Sequence, residues 1–266
     1  MDFPEIGRSN KRLKDIRHLT APSKREKFGR FLLEGVRVTE EALHSPVRLD
    51  FLLCANNASE KAKQIAYEAS RLGADVFSAD PHLLDSVSDA KTSQGLLGVA
   101  FLPDYSEEEV MAGKSLLVLD GIQDPGNVGT LLRSALAFGF GGALLITGGD
   151  PFNAKAVRAS AGACFKLPLL RFQREDANNI LQSVLARGFE FVVAAAHNGE
   201  PLNRALMPAR PALIMGAEVE GISDQVMKFP HSAVSIALSS QSESLNVAAA
   251  GVVLMYEINR RQLEIK

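Results

Sequence analysis

The sequence predicts an α/β protein with two domains, the larger of which is built on a parallel sheet. Its 266 residues exceed the roughly 150 residues of an average domain. Apolar residues make up 46% of the chain and charged residues 23%, which is typical of globular proteins and argues against disorder. From residue 115 onward, short apolar runs alternate with amphipathic stretches, as expected for strands that crossover helices bury on both faces.

The first hundred residues predict a small α/β domain, which we assign to residues 1–103. Residues 59–72 place apolar side chains at i, i+3 and i+4, the spacing of an amphipathic helix, and Gly73 follows as its end. The other predicted elements are an apolar run at 31–33, a helix over 36–43 and strands over 47–54, 75–77 and 95–102. Residues 104–114 are polar, acidic and bounded by proline and glycine, which predicts a linker.

Residues 115–266 predict the larger domain. The predicted strands cover 116–119, 143–146, 189–196, 212–215 and 233–236. The predicted helices include one over 127–138, ended by Gly139, and a last one over 244–262 with a single apolar face. Because strands and helices alternate over this whole stretch, the strands are expected to form a doubly wound parallel sheet.

The formal net charge of −2 excludes a protein that is uniformly basic for nucleic-acid binding. The average hides an uneven distribution, because residues 1–30 contain nine basic and four acidic residues. The rest of the chain is therefore mildly acidic. A basic N-terminal arm on an acidic body is a weak indication of function, since charged arms are often simply solvated.

Other features exclude several classes of protein. Cys54 and Cys164 lie far apart, with no Cys-x-x-Cys pair and no histidine at metal-ligand spacing, so neither a disulfide framework nor a zinc site is expected. No positively charged start followed by an apolar core indicates a secretory signal. The longest apolar stretch, 247–256, is about half of the ~20 residues that span a bilayer. We therefore expect a cytoplasmic protein with no metal and no membrane partner.

Three familiar enzyme motifs are incomplete. Residues 113–115 end like a phosphate-binding P-loop, but Glu108 stands where that loop needs its first glycine. The glycines after residue 138 lack the third glycine of a dinucleotide fingerprint, because Leu144 occupies its place. Ser160 lacks the first glycine of a nucleophile elbow. These gaps argue against an NTPase, an NAD enzyme and an α/β hydrolase.

Polar residues cluster instead at the ends of three predicted strands, where open α/β sheets bind ligands. The first cluster, 119–133, contains Asn127 at the predicted helix start, where a helix cap is the simplest explanation. It also contains Arg133 within an otherwise apolar helix start. Two interpretations of Arg133 stay open, since the side chain can bind an anion or extend along the helix into solvent.

The other two clusters are a glycine turn and a polar loop. In the second cluster, 213–223, a buried strand leads into Gly216, which allows close approach to the backbone, and then into Glu218 and Glu220. The third, 236–246, crowds four serines, Gln241, Glu243 and Asn246 before the last helix, with Ser244 as a natural helix cap.

Together the clusters resemble the SpoU/TrmH family of RNA 2′-O-ribose methyltransferases. The family motifs Asn-x-Gly-x-x-x-Arg, Gly-x-Glu-x-x-Gly and Ser-Leu-Asn occur here in order, at 127–133, 216–221 and 244–246. The resemblance covers residues 114–262, with Ala237 and Ser240 where the family usually has proline and glycine, and Ala217 where it often has asparagine or serine. Residues 31–35 and 92–99 more weakly resemble a small substrate-binding domain of the ribosomal-protein L30e type.

The resemblance implies a deep trefoil knot in the C-terminal domain, a homodimer and S-adenosylmethionine as cofactor. By motif position, the cofactor-binding residues are Gly216, Ile236 and Leu245. The implied catalytic residues are Arg133, Asn127, Glu218, Ser244 and Asn246. Because a guanidinium is effectively never deprotonated, we interpret Arg133 as gripping an RNA phosphate and orienting the ribose hydroxyl rather than as a general base.

The expected partner is structured RNA, with 23S rRNA favoured over tRNA and no DNA. The expected RNA contacts are Lys11, Arg12, Lys14, Arg17, Arg30 and Arg158. L30e-like modules recognise folded RNA, where shape and unpaired loops carry specificity. The alternatives are a tRNA 2′-O-methyltransferase and a non-catalytic RNA-binding protein of the same fold.

Overall fold

A computed structural model describes residues 3–88, 94–239 and 244–264. The helices are α1 Lys11–His18, α2 Pro22–Phe28, α3 Val36–Leu43, α4 Glu60–Arg71, α5 Pro81–Asp85, α6 Glu107–Val110, α7 Pro125–Ala137, α8 Ala154–Ser160, α9 Ala177–Ala186, α10 Asp224–Met227 and α11 Val247–Glu264. The strands are β1 Arg30–Glu34, β2 Leu49–Ala55, β3 Asp75–Ala79, β4 Leu96–Phe101, β5 Leu116–Asp120, β6 Gly142–Ile146, β7 Leu169–Phe172, β8 Glu190–Ala194, β9 Glu200–Pro201, β10 Pro211–Gly216 and β11 His231–Ser235.

The chain forms two compact units. The first unit contains the residues up to Asp104 together with Asp150–Lys166. The second unit contains Tyr105–Gly149 and the residues from Leu167 onward. The segment Asp150–Lys166 therefore packs with the N-terminal residues, a placement that the sequence pattern does not indicate. The domain limits 1–103 and 115–266 stay a prediction.

The sheet of the first unit has four strands in the order β1-β4-β2-β3. β4 pairs antiparallel with both β1 and β2, and β2 pairs parallel with β3. The basic segment 1–30 is not an extended arm, because it forms α1 and α2. Leu13, Ile16 and Leu19 are almost fully buried in the core of this unit. The sequence predicts an arm here because α1 and α2 are short and charged. With so few buried apolar residues, they show almost no hydrophobic periodicity.

Three ion pairs hold Asp150–Lys166 within the first unit. The buried Arg25 donates from Nε to Asp150 Oδ2 at 2.7 Å and from Nη1 to the Leu19 carbonyl at 2.6 Å. Arg158 pairs with the buried Glu34, and Lys166 pairs with Glu41. The Lys166 hydrogen bond lowers the pKa of Glu41.

The sheet of the second unit has seven strands, all parallel, in the order β7-β6-β5-β10-β8-β11-β9. The predicted doubly wound parallel sheet is confirmed. The strand β7 is not among the predicted strands, because it has four residues, contains Arg171 and is buried at one residue only. The segment predicted as a linker contains α6, whose end places Val110 and Met111 in the core of the unit. The trefoil knot stays a prediction.

Candidate active site

A cavity of about 550 Å³ opens at the carboxyl ends of three neighbouring strands of the second unit, β10, β8 and β11. Its walls are the residues that follow those strands and the start of α11. They comprise Ala194–Ala196, Gly216–Ile222, Ile236, Leu238 and Ser244–Val247. The predicted cofactor residues Gly216, Ile236 and Leu245 all line this one cavity. Of the third sequence cluster, Ser240, Gln241 and Glu243 lie outside the described residues.

Gly216 is required by the shape of the loop that follows it. The backbone of Ala217 and Gly221 exchanges two hydrogen bonds of 2.9 Å, which folds the loop back on β10. A Cβ added at Gly216 would lie 2.5 Å from the Gly221 carbonyl oxygen and 2.5 Å from the Ile222 nitrogen. Since real Cβ atoms do not approach backbone so closely, only glycine fits at this wall of the cavity.

Three motif residues meet in one hydrogen-bonded cluster beside the cavity. Asn127 donates from Nδ2 to Glu218 Oε1. Asn246 donates from Nδ2 to Asn127 Oδ1 at 3.3 Å and to Glu218 Oε1 at 3.5 Å. The motifs lie up to 119 residues apart in the chain, so this polar cluster is a product of the fold.

The helix caps differ from those predicted, and the difference explains the cluster. Asp124, not Asn127, caps α7, because its carboxylate accepts from the Asn127 nitrogen at 3.0 Å. The Asn127 side chain is therefore available to bind Glu218. Likewise α11 begins after Asn246 rather than at Ser244, and Asn246 Oδ1 accepts from the Ala248 nitrogen at 2.9 Å. Asn246 thus caps a helix and joins the cluster with the same side chain.

Arg133 lies on α7, six residues beyond Asn127 and hence about 9 Å further along the helix axis. Its side chain is exposed and makes no hydrogen bond or ion pair within the part of the chain that the structure describes. Glu218 and Asn246 contact Asn127 instead of Arg133. Ser244 is exposed and lines the cavity.

A second polar cluster, which the sequence motifs do not predict, lies at the same end of the sheet. It joins Asp120, at the end of β5, to Thr147, Arg174 and Ser223. A charged residue that directly ends an apolar strand was a possible signal for Asp120. Arg174 follows the unpredicted strand β7, and its position in the sequence carried no signal.

The six predicted RNA contacts divide into two groups within the first unit. Lys11, Lys14 and Arg17 are exposed on α1, without an ion pair among the residues described. The other three are engaged with the protein itself. Arg12 donates to Asp75 at 2.7 Å, Arg30 pairs with Asp50 at 2.9 Å, and Arg158 pairs with Glu34.

Two other kinds of site, a membrane-spanning helix and a metal centre, are absent from the described ranges 3–88, 94–239 and 244–264. No helix there has the length and apolar character to cross a bilayer. No group of three or more histidine, cysteine or acidic side chains there is arranged to hold a metal ion.

The parallel sheet, with a ligand cavity at the carboxyl ends of its strands and a polar cluster beside it, defines the class of an α/β ligand-binding enzyme. Residues 114–256 match the SpoU rRNA Methylase family, and residues 10–98 match an MRM3-like substrate binding domain. The chain belongs to the SpoU rRNA methylase family and is an RNA methyltransferase. The family resemblance drawn from the three motifs is confirmed.

Relatives of known name support this membership. The chain is 30% identical to the 23S rRNA (guanosine(2553)-2′-O)-methyltransferase RlmP of Bacillus subtilis, over 94% of this chain and 96% of that protein. It is 29% identical to the 23S rRNA (guanosine-2′-O-)-methyltransferase RlmB of Haemophilus influenzae, over 86% of this chain and 97% of that protein.

A solved structure shows the same fold. It is the SpoU methyltransferase AviRb from Streptomyces viridochromogenes, in complex with the cofactor AdoMet. It has a TM-score of 0.86 and 23% identity, and the match covers 96% of this chain and 98% of that one.

Proposed function

We propose that this protein transfers a methyl group from S-adenosylmethionine to the 2′-hydroxyl of a ribose in 23S rRNA. The observation that carries the proposal is that Gly216, Glu218 and Asn246 of the second and third motifs line one cavity. Asn127 of the first motif is hydrogen-bonded to Glu218 and Asn246 at its edge. Two relatives named as 23S rRNA 2′-O-methyltransferases match the chain over most of its length and favour the same substrate.

The cavity suits S-adenosylmethionine in size and chemistry. Its volume of about 550 Å³ lies within the range of roughly 300–1,000 Å³ that small-molecule sites occupy. Ile236 and Leu245 supply apolar surface for an adenine ring, and Gly216 exposes its backbone to the ligand. The cofactor supplies an electrophilic methyl group on a sulfonium cation.

The residues beside the cavity would bind and orient the RNA. The exposed guanidinium of Arg133 would grip the phosphate next to the target ribose, which would align the hydroxyl with the methyl group. The Asn127–Glu218–Asn246 cluster joins the Glu218 loop to the starts of α7 and α11. Ser244, which also lines the cavity, would contact the ribose.

We further propose that the protein acts as a cytoplasmic homodimer on RNA rather than DNA. Large apolar side chains are exposed on α7 and α11, which pack on each other, at Leu136, Val253 and Tyr256. A second copy that covered them would remove this apolar surface from water. In the first unit, the exposed positive charges of Lys11, Lys14 and Arg17 favour an RNA backbone as partner.

The Arg133→Ala variant tests the proposed role of Arg133. Methylation of a 23S rRNA transcript, followed by mass spectrometry, should fall at least about 100-fold, because an orienting charge would be lost. Calorimetric binding of S-adenosylmethionine should stay unchanged. Arg187→Ala is the matched control, since it removes another arginine of the second unit, one that pairs with the exposed Glu108 at 3.4 Å.

Three results would contradict the proposal. Near-normal methylation by Arg133→Ala would exclude its role in catalysis. Methylation of tRNA but not of 23S rRNA by the wild type would identify the protein as a tRNA 2′-O-methyltransferase. RNA binding without methyl transfer to any RNA would indicate a non-catalytic RNA-binding protein. Mapping of the 2′-O-methyl sites lost from total RNA of a deletion strain would then identify the nucleotide.

A further inference from the structure

The loop between β10 and α10 forms one wall of the cavity and carries Glu218. Its first end is fixed, because Gly216 belongs to the sheet and pairs with Asp120 of β5. Its tip is exposed, with Val219 at 96% relative exposure. The position of the wall therefore depends on what holds the other end of the loop, at Ser223.

Ser223 is held by the buried carboxylate of Asp120, which is 1% exposed. One carboxylate oxygen, Oδ2, accepts from the Ser223 backbone nitrogen at 2.8 Å. The other, Oδ1, accepts from Arg174 Nη1. Because a buried carboxylate is costly without a partner, the contact with Arg174 compensates for the burial of Asp120 at the end of the sheet.

Arg174 also contacts the loop directly. Its Nη1 donates to Ser223 Oγ at 2.8 Å, and its Nη2 donates to Thr147 Oγ1, after β6, at 3.1 Å. Ser223 precedes α10 as its cap residue, yet its side chain caps no helix nitrogen. The hydroxyl is bound to Arg174 instead, so a local helix cap has been replaced by a long-range contact.

We infer that Arg174 is a positioning residue for the cofactor cavity. One guanidinium joins the ends of β5 and β6 to the end of the Glu218 loop, and it thereby fixes the cavity wall and the hydrogen-bonding partner of Asn127. The identity of the ligand in this inference rests on the proposed function. The positioning itself is a property of the loop and can be measured without any ligand.

The Arg174→Gln variant should loosen the loop without blocking chemistry. Loss of charge-assisted hydrogen bonds of this kind should raise the Kd and KM for S-adenosylmethionine roughly tenfold. The kcat at saturating cofactor should stay within about threefold of the wild type, since Arg174 contacts neither reacting group. Hydrogen exchange at residues 217–223, measured by mass spectrometry without ligand, should become faster.

A matched control separates positioning from general stability. Arg210 lies at the opposite end of the same sheet and donates to the carbonyls of Arg187 at 2.5 Å, Met111 at 3.2 Å and Gly113 at 3.1 Å. Arg210→Gln should lower the Tm while leaving the Kd for S-adenosylmethionine and the exchange of 217–223 unchanged.

A milder variant keeps the test decisive if Arg174→Gln does not fold. Ser223→Ala removes the hydroxyl contact with Arg174 but leaves the Arg174–Asp120 pair and the backbone bond. Ser223→Ala should speed hydrogen exchange at residues 217–223. Arg174→Lys should bind S-adenosylmethionine more tightly than Arg174→Gln but more weakly than the wild type, since an ammonium cannot reach all three partners in the same geometry.

Unchanged exchange of 217–223 in Arg174→Gln, or in Ser223→Ala if the first variant does not fold, would overturn the inference. A wild type that does not bind S-adenosylmethionine would refute the proposed function instead. The exchange measurement would still decide the role of Arg174 in that case.

Discussion

Gly216 is the residue at which the backbone and the cavity impose the strictest requirement. A methyl group there would meet the Gly221 carbonyl oxygen and the Ile222 nitrogen, each at 2.5 Å. These neighbours are backbone atoms, which cannot rotate out of the way as a side chain can. Any larger residue must therefore displace the loop that forms the cavity wall.

The Gly216→Ala variant should lose affinity for S-adenosylmethionine by roughly 5- to 150-fold, because overpacking at such sites costs roughly 1–3 kcal/mol. Isothermal titration calorimetry measures the loss. Gly7→Ala is the control, since a Cβ at Gly7 has no neighbour within 4 Å. Equal affinity of Gly216→Ala and the wild type would show that the ligand does not depend on this wall.

At the residue scale, the sequence identified the side chains of the candidate site, but it did not predict the contacts that each of them makes. Asn127, Glu218 and Asn246 were all selected from motifs, and they meet in one cluster. The local pattern suggested that Asn127 caps a helix, yet Asp124 does so. Several polar residues near a helix start can act as its cap, and the sequence does not show which of them does. The tertiary contacts determine which side chain caps the helix and which one binds elsewhere. Arg174 and Asp120 show the same limit, because their partner Ser223 lies far along the chain.

Among the elements, α11 depends on one acidic residue near its end. Glu257 accepts from Arg260 Nε at 2.8 Å and from Arg261 Nε at 2.6 Å. Arg261 in turn donates to the carbonyls of Leu202, at 2.5 Å, and of Ala205. The Arg260 hydrogen bond above all lowers the pKa of Glu257 to about 2. Glu257 thus orients the arginine that ties the helix to the loop after β9.

This arrangement predicts a stability that depends on pH. Because the pKa of Glu257 is lowered on folding, its contribution is complete above its ordinary pKa of 4.5 and is lost as the pH falls towards about 2. Glu257→Gln should be less stable than the wild type by roughly 1–2 kcal/mol at pH 7, in urea unfolding followed by circular dichroism. The difference should shrink below pH 4.5.

Glu60→Gln is the control for this measurement, because Glu60 pairs with Lys63 on an exposed surface of α4. Such surface pairs contribute little, so its stability should follow the wild type at every pH. A Glu257→Gln deficit of the same size at pH 7 and at pH 3 would contradict the assigned pKa direction.

Element by element, the predictions held where apolar spacing is regular. The helix α4 and the strands β5, β6, β8, β10 and β11 follow from their sequences within a few residues. The helices α1, α2 and α6 do not, because each is short and polar and docks through one to three buried residues. The strand β7 was not predicted for a similar reason, since it is short and only partly buried.

At the scale of the whole molecule, the basic residues of segment 1–30 belong to the folded helices α1 and α2 rather than to an extended arm. The sequence alone suggests that deletion of residues 1–30 would test RNA binding. In the structure, that deletion would remove Leu13, Ile16 and Leu19 from the core and leave the buried Asp150 without Arg25. Damage to the first unit would then be indistinguishable from a loss of RNA contacts.

A charge-only variant is the sharper test. Replacing Lys11, Lys14 and Arg17 with glutamine should lower the slope of log affinity against log salt by about 2 to 3, since each phosphate contact contributes roughly 0.7 to 0.9. Filter binding of an rRNA fragment at several salt concentrations measures the slope, and affinity for S-adenosylmethionine should not change.

The matched control for this variant replaces Lys61 and Lys63, which are already paired with Glu40 and Glu60. Their replacement should leave the slope unaltered. An unchanged slope in the triple variant would remove α1 from the RNA-binding surface.

Because the first unit is built from two separate stretches of chain, its folding depends on the order in which the ribosome releases them. Arg25, Glu34 and Glu41 can meet all their partners Asp150, Arg158 and Lys166 only after residue 166 has left the exit tunnel. By then β5 and β6, which precede residue 150, have left it as well. The first unit therefore cannot be completed before part of the second unit has emerged. Recombination that exchanges the N-terminal domain among homologues must also carry matching residues from the middle of the gene.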